Sequence, residues 1–119
     1  MKKYLIPFLT SIFLISCPEK VFYINVAPQL EIIVKTESCQ LVSDAQVFLF
    51  LTENDWWDKT NAVQSGQTGS QGSIVFTELE EVPYYFYVTK DYMTNEGQVS
   101  EIKEALKENV KAIVETIIK

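Results

Sequence analysis

The sequence contains no histidine and no arginine, and only two cysteines, Cys17 and Cys39. Without histidine the chain builds no Ser-His-Asp triad, no Cys-His dyad and no His-ligated zinc site. It has 10 Lys against 16 Asp and Glu, a formal net charge of −6. An acidic chain without arginine lacks the cation clusters that hold nucleic-acid phosphates, so no nucleic-acid partner is expected. Long apolar runs are also missing. The longest nearly unbroken one, Tyr4 to Ile15, falls well short of the roughly 20 residues that a spanning helix needs. Pro7 inside it weakens a stable transmembrane helix further.

What is present divides into a leader and a body. The 119 residues fit one domain, and the 47% apolar content argues against wholesale disorder. Lys2 and Lys3 give a positive end, Tyr4 to Ile15 an apolar centre, and Ser16 a small residue before Cys17. That layout is a cleaved export signal over residues 1–16. Leu14-Ile15-Ser16-Cys17 resembles the lipobox of bacterial lipoproteins. The resemblance implies that the Cys17 thiol carries a diacylglyceryl group, that cleavage precedes Cys17, and that the freed amine takes an acyl chain. Two or more buried chains anchor stably at about 0.8 kcal/mol per CH₂. The alternative is an ordinary secreted protein in which Cys17 pairs with Cys39.

Loss of residues 1–16 removes Lys2 and Lys3 and makes the remainder more acidic still. Anionic lipid surfaces would repel such a body, so the lipid rather than a basic patch would hold it to the membrane. Pro18-Glu19 follows the cysteine, with no Asp at the second position. By resemblance to the sorting rule of many Gram-negative lipoproteins, this implies the outer membrane. Cys39 then remains as the lone thiol and is expected to be buried and inert.

Residues 17–28 read as a tether whose apolar centre, Val21-Phe22-Tyr23-Ile24, is either a first strand or a linker. Residues 29–119 read as an all-β sandwich of about seven strands. Leu30, Ile32, Val34 and Thr36 alternate with Glu31, Ile33, Lys35 and Glu37, a half-buried strand. Ser38 to Asp44 is a turn, and Ala45 to Thr52 a central strand rich in Val and Phe. Glu53 to Asn61 is a polar loop or one helical turn carrying two indoles. Ala62 to Thr68 predicts a polar edge strand with a bulge at Gly66. After the turn at Gly69–Gly72, Ser73 to Glu78 is expected as its hairpin partner. Tyr84 to Thr89 predicts an aromatic strand with Tyr84, Phe86 and Val88 on one face and Tyr85, Tyr87 and Thr89 on the other.

The last segment carries two signals. Ile102, Leu106, Val110, Ile113 and Ile117 fall near helical spacing, whereas 110–118 is rich in Val, Ile and Thr. A final strand from Val110 to Ile118 is expected, with a short helical turn within Ser100 to Lys107 as an option. Segments of this size and spacing suit an immunoglobulin-like sandwich, whose body is about 100 residues.

Leu30 to Tyr87 resembles the carboxypeptidase-regulatory-like, or transthyretin (prealbumin)-like, domain of bacterial surface lipoproteins. The carrying residues are Leu30-Glu31-Ile32-Ile33-Val34, Ala45-Gln46-Val47-Phe48-Leu49-Phe50, Thr68-Gly69-Ser70-Gln71-Gly72 and Pro83-Tyr84-Tyr85-Phe86. Gly69 stands where the family pattern has Asp, and Cys39-Gln40-Leu41-Val42 where it has a Gly-containing turn. The resemblance implies a prealbumin-like sandwich, an accessory or binding role without catalysis, and no cofactor beyond the lipid on Cys17.

Three groups of side chains invite a ligand. Trp56 and Trp57, beside Asp55 and Asp58, suggest stacking on a sugar ring with hydroxyl hydrogen bonds to carboxylates, or a hold on a peptide. Adjacent residues diverge, so the pair cannot make one flat platform. The simpler expectation is one indole capping the open end of the sandwich and the other partly exposed. Asn54, Asp55 and Asp58 lack the glycine and final glutamate of a Ca²⁺ loop, so no metal is expected. Glu78, Glu80 and Glu81 would serve glycoside hydrolysis only with an acid facing them across a cleft; otherwise they form a solvated turn. Tyr85 and Tyr87 become a partner surface if their face is exposed. The expectation is a lipid-anchored, non-enzymatic envelope module that docks an envelope protein, or alternatively binds carbohydrate through Trp56 or Trp57.

Overall fold

The computed structural model describes residues 25–119. The expected leader, the lipobox with Cys17, and the Val21–Ile24 segment lie outside the described residues. Nearly all regular structure is β, in two sheets of three and five strands. Among the described residues no helix is long and apolar enough to cross a membrane.

The first sheet has the order β4-β1-β8, where β1 is Gln29–Lys35, β4 is Ser73–Phe76 and β8 is Lys111–Ile117. β1 runs antiparallel to β4 and parallel to β8. The second sheet has the order β3-β2-β5, with β2 at Gln46–Phe50, β3 at Gln64–Gln67 and β5 at Tyr84–Lys90. Two short strands share the other side of β5: β6, Met93–Thr94, and β7, Glu101–Ile102. These two pieces bring the total to eight, against about seven expected.

Alternation explains which face meets the core. Leu30, Ile32 and Val34 of β1, Val47 and Leu49 of β2, and Phe86 and Val88 of β5 are fully buried between the sheets. Each such side chain contributes roughly 1.5–3 kcal/mol of burial. The expected final strand forms as β8 and closes the core with Ile118. The helical turn between Ser100 and Lys107 does not form. Ile102 pairs with Tyr84 in β7, and Leu106 is buried with its N–H on the Val82 carbonyl. The spacing of Ile102 and Leu106 thus arises from separate anchoring contacts, and Val110 is exposed.

Three local expectations are corrected. β4 is not the hairpin partner of β3; it pairs with β1 in the opposite sheet. Thr68 anchors the chain at the crossing. Its Oγ1 accepts from Ala45 N at 2.9 Å and donates to Val42 O at 2.7 Å, tying the end of β3 to the 42–45 turn. Gly66 makes no bulge, since β3 pairs with β2 in unbroken register from Gln67 to Gln64. Glycine is there because a Cβ would stand 2.6 Å from Ile74 Cδ1, where β4 passes over β3. Cys39 is exposed, not buried. It occupies a left-handed turn position, φ 68°, closed by Cys39 N to Thr36 O at 2.9 Å. Turn geometry outweighs its apolar preference.

Candidate functional site

The indole-bearing loop is a helix, α1, over Glu53–Asp58. Thr52 starts it: its extended backbone sets Oγ1 to accept from Asp55 N at 3.0 Å. Glu53 and Asp55 sit in the first turn, where the helix dipole favours acids. Lys59 ends it in the left-handed conformation, φ 56°. The helix lies against β2 and β5. It covers the outer face of the five-stranded sheet, the side of Phe48, Phe50, Tyr85 and Tyr87.

The two tryptophans part company there. Trp56 is buried and its Nε1 donates to Phe86 O at 2.8 Å. It does not cap the open end of the sandwich; it bolts α1 to the outer face of the sheet. Trp57 is 61% exposed, with Nε1 3.4 Å from Glu53 Oε2. The rings meet edge to face, 4.9 Å apart at 82°. The absence of a shared flat platform follows from their adjacency on a helix.

Lys59 is the part of this site that the sequence did not announce. Its Nζ lies 4.4 Å from the Trp56 ring centroid, 4.5 Å from that of Tyr87, and 3.1 Å from Glu96 Oε2. The chain thus supplies its own cation to these two rings. Tyr85 and Tyr87 share the outer face, as expected, and both are half-buried. The helix divides them. Tyr85 joins Trp57 in a groove of about 380 Å³, with Glu53, Gln98 and Glu101 on its walls. Tyr87 lies on the other side in an apolar shelf with Phe48 and Phe50. Phe48 and Tyr87 stack at 6.4 Å and 29°.

Asp55 is not brought to the groove. Its Oδ1 accepts from Asn61 Nδ2 at 3.2 Å, holding the turn after α1. Among the described residues no three acidic or cysteine side chains stand close enough to hold a metal ion. Glu78, Glu80 and Glu81 are exposed, and Glu80 N donates to Tyr84 Oη at 2.9 Å. The wall of Gln98 and Glu101 comes from the segment after β6, which carries no pattern tying it to Trp57.

Asn95 organises that segment and was not foreseen. It is fully buried. Its Oδ1 accepts from Val88 N at 2.9 Å, and its Nδ2 donates to Phe86 O at 3.2 Å and Val99 O at 3.0 Å. The amide continues the β5 ladder in place of a strand. Thr116 Oγ1 of β8 also donates to Val99 O, at 2.6 Å, joining the two sheets.

No protein-family model and no curated protein matches the chain. Among solved structures, the Bacillus anthracis TIE protein is similar over 90% of this chain, at 22% identity and a TM-score of 0.49. The chain spans 18% of that protein's length.

Proposed function

We propose that the chain is a lipid-anchored, non-enzymatic β-sandwich of the cell envelope, on the outer membrane of a Gram-negative cell. It acts as an interaction module through the outer face of its five-stranded sheet. The observation that carries the reading is the placement of Phe48, Tyr85, Tyr87 and Trp57. These rings stand outward, on strands and a helix that the core and the Trp56 bond hold rigid. Aromatic anchors on a rigid surface are what protein interfaces use. The Leu14–Cys17 lipobox supports the anchor, and the likeness of Leu30–Tyr87 to transthyretin-like lipoprotein domains agrees with it. The missing histidine favours binding over catalysis.

Photo-crosslinking residues placed at positions 48 and 57 of the full chain test the docking. Both are expected to capture one envelope protein, while a control at exposed Lys103 captures none. No capture above that control sinks the interaction reading. Cys17→Ser is expected to leave the membrane pellet and to lose its lipid mass. A mutant that still pellets without lipid refutes the anchor.

A second reading is favoured by the Trp57 groove itself. An exposed indole beside Tyr85, flanked by Glu53, Gln98 and Glu101, offers a ring to stack on and oxygens to bind hydroxyls. Carbohydrate binding would disappear in Trp57→Ala and survive in Phe48→Ala. A glycan array that shows no binding by the unaltered protein removes this reading.

A further inference from the structure

The outer side of β8 is the longest sheet edge left open among the described residues. Its seven residues pair with β1 in unbroken parallel register, and no strand pairs on the other side. Gln29 N donates to Val110 O and Ile118 N donates to Lys35 O. Even-numbered residues of this strand therefore face β1. Lys111, Ile113, Glu115 and Ile117 turn their backbone N–H and C=O groups outward. Lys119 keeps the same parity, exchanging both of its backbone bonds with Thr94 on the far side. The open stretch has no proline and no bulge, and its edge protection is limited to the charges of Lys111 and Glu115. The remaining edges are short: β3 and β4 have four residues each, and β6 and β7 two.

The side chains along this edge are complementary to themselves. Ile113 is 59% exposed between Lys111 and Glu115. Antiparallel pairing of two copies about Ile113 sets Ile113 against Ile113, Lys111 against Glu115, and Glu115 against Lys111. Residue i meets j and j meets i, the condition for a two-fold interface. All three are pairs of outward-facing residues, so each exchanges two N–H···O bonds. An axis at Val114 would set Ile113 against Glu115 and Lys111 against Ile117. An axis at Glu115 would oppose two carboxylates, which is destabilising. Neither matches apolar with apolar and cation with anion.

Local charge agrees. The whole chain at −6 resists self-association. The ion pairs on this sheet are balanced, however: Lys111 with Glu31 at 3.2 Å and Lys35 with Glu115 at 3.2 Å. Lys111 and Glu115 keep 45% and 57% of their side-chain surface exposed, enough to take a second partner. We infer that β8 is a self-docking edge. Two copies of this chain join antiparallel about Ile113 and fuse their three-stranded sheets into one six-stranded sheet.

The test uses the full-length chain with Cys39→Ser, oxidised in the cell envelope with copper–phenanthroline. That parent alone gives the baseline. Ile113→Cys is expected to yield a reducible band at twice the chain mass, since a Cα separation of about 5.5 Å lies within disulfide range. Glu115→Cys faces Lys111 of the second copy and yields no band above baseline. Lys111→Glu added to Ile113→Cys lowers the yield about fivefold or more, and Glu115→Lys added to both restores it. All of these positions are on the surface, and thermal melts of each variant confirm folding. Four results overturn the inference: no dimer band from Ile113→Cys, equal crosslinking by Glu115→Cys, indifference to the charge swap, or a band containing a different protein.

Discussion

The Trp56 indole N–H donates to the carbonyl oxygen of Phe86, a residue 30 positions away, at 2.8 Å. That one bond ties a six-residue helix to the outer face of the sheet. A helix this short is marginal on its own and depends on such packing. Trp56→Phe keeps most of the ring and deletes the donor, so it should cost about 1–2 kcal/mol in urea unfolding. Trp57→Ala removes an exposed indole and should stay within about 0.5 kcal/mol. Equal losses in the two variants would contradict these separate roles. Ligand experiments should therefore change Trp57 alone.

Asn95 carries a larger share of stability. Its side chain satisfies Val88 N, Phe86 O and Val99 O inside the protein. Asn95→Ala leaves Val88 N without this partner, while Phe86 O keeps Trp56 Nε1 and Val99 O keeps Thr116 Oγ1, so it should cost about 1–3 kcal/mol. Asn95→Asp keeps an acceptor for Val88 N but sets a carboxylate against two carbonyl oxygens, so it should be no better. Hydrogen exchange at Val88 N offers a local check. Its protection should fall in Asn95→Ala by more than that of Ile32, whose ladder lies in the other sheet.

Legibility followed the range of the interactions involved. β1, β5 and β8 were readable because each is held by its own period-2 or β-branched pattern against one core. The choice of partner was not readable. Whether Ser73–Phe76 joins β3 or β1 depends on Thr68 and the 42–45 turn, contacts that no local window contains. Adjacency told that Trp56 and Trp57 diverge, but not which one the sheet would bury. Asn95 reads as an ordinary turn residue, and Lys59 as a surface charge. Their roles appear only when β5 and α1 are brought beside them.

Cys39 gives a direct test of the corrected turn. The thiol is exposed, at a backbone position of φ 68°. A thiol reagent should modify it in the native protein at close to the rate seen in denaturant. Slow native labelling would return it to the core. Because side chains resist the left-handed region, Cys39→Gly should stabilise by up to about 1 kcal/mol.

Two glycines should respond differently to the same added methyl group. At Gly66 the Cβ would meet Ile74 Cδ1, the far end of a flexible side chain, at 2.6 Å. A rotamer change can relieve that contact, so Gly66→Ala should cost about 1 kcal/mol. At Gly72 the backbone itself is the obstacle. Its φ is 72°, and the Cβ would lie 2.8 Å from Leu41 Cβ and 3.0 Å from Val42 N. Gly72 O also accepts from Val34 N at 2.8 Å, so the turn cannot move away without loosening the end of β1. Gly72→Ala should therefore cost about 2–3 kcal/mol, from strain and from the lost pairing together. Urea midpoints of the two variants, compared at equal m-values, decide between them. A Gly72→Ala variant as stable as Gly66→Ala would mean that the 69–72 turn is not held as the structure has it.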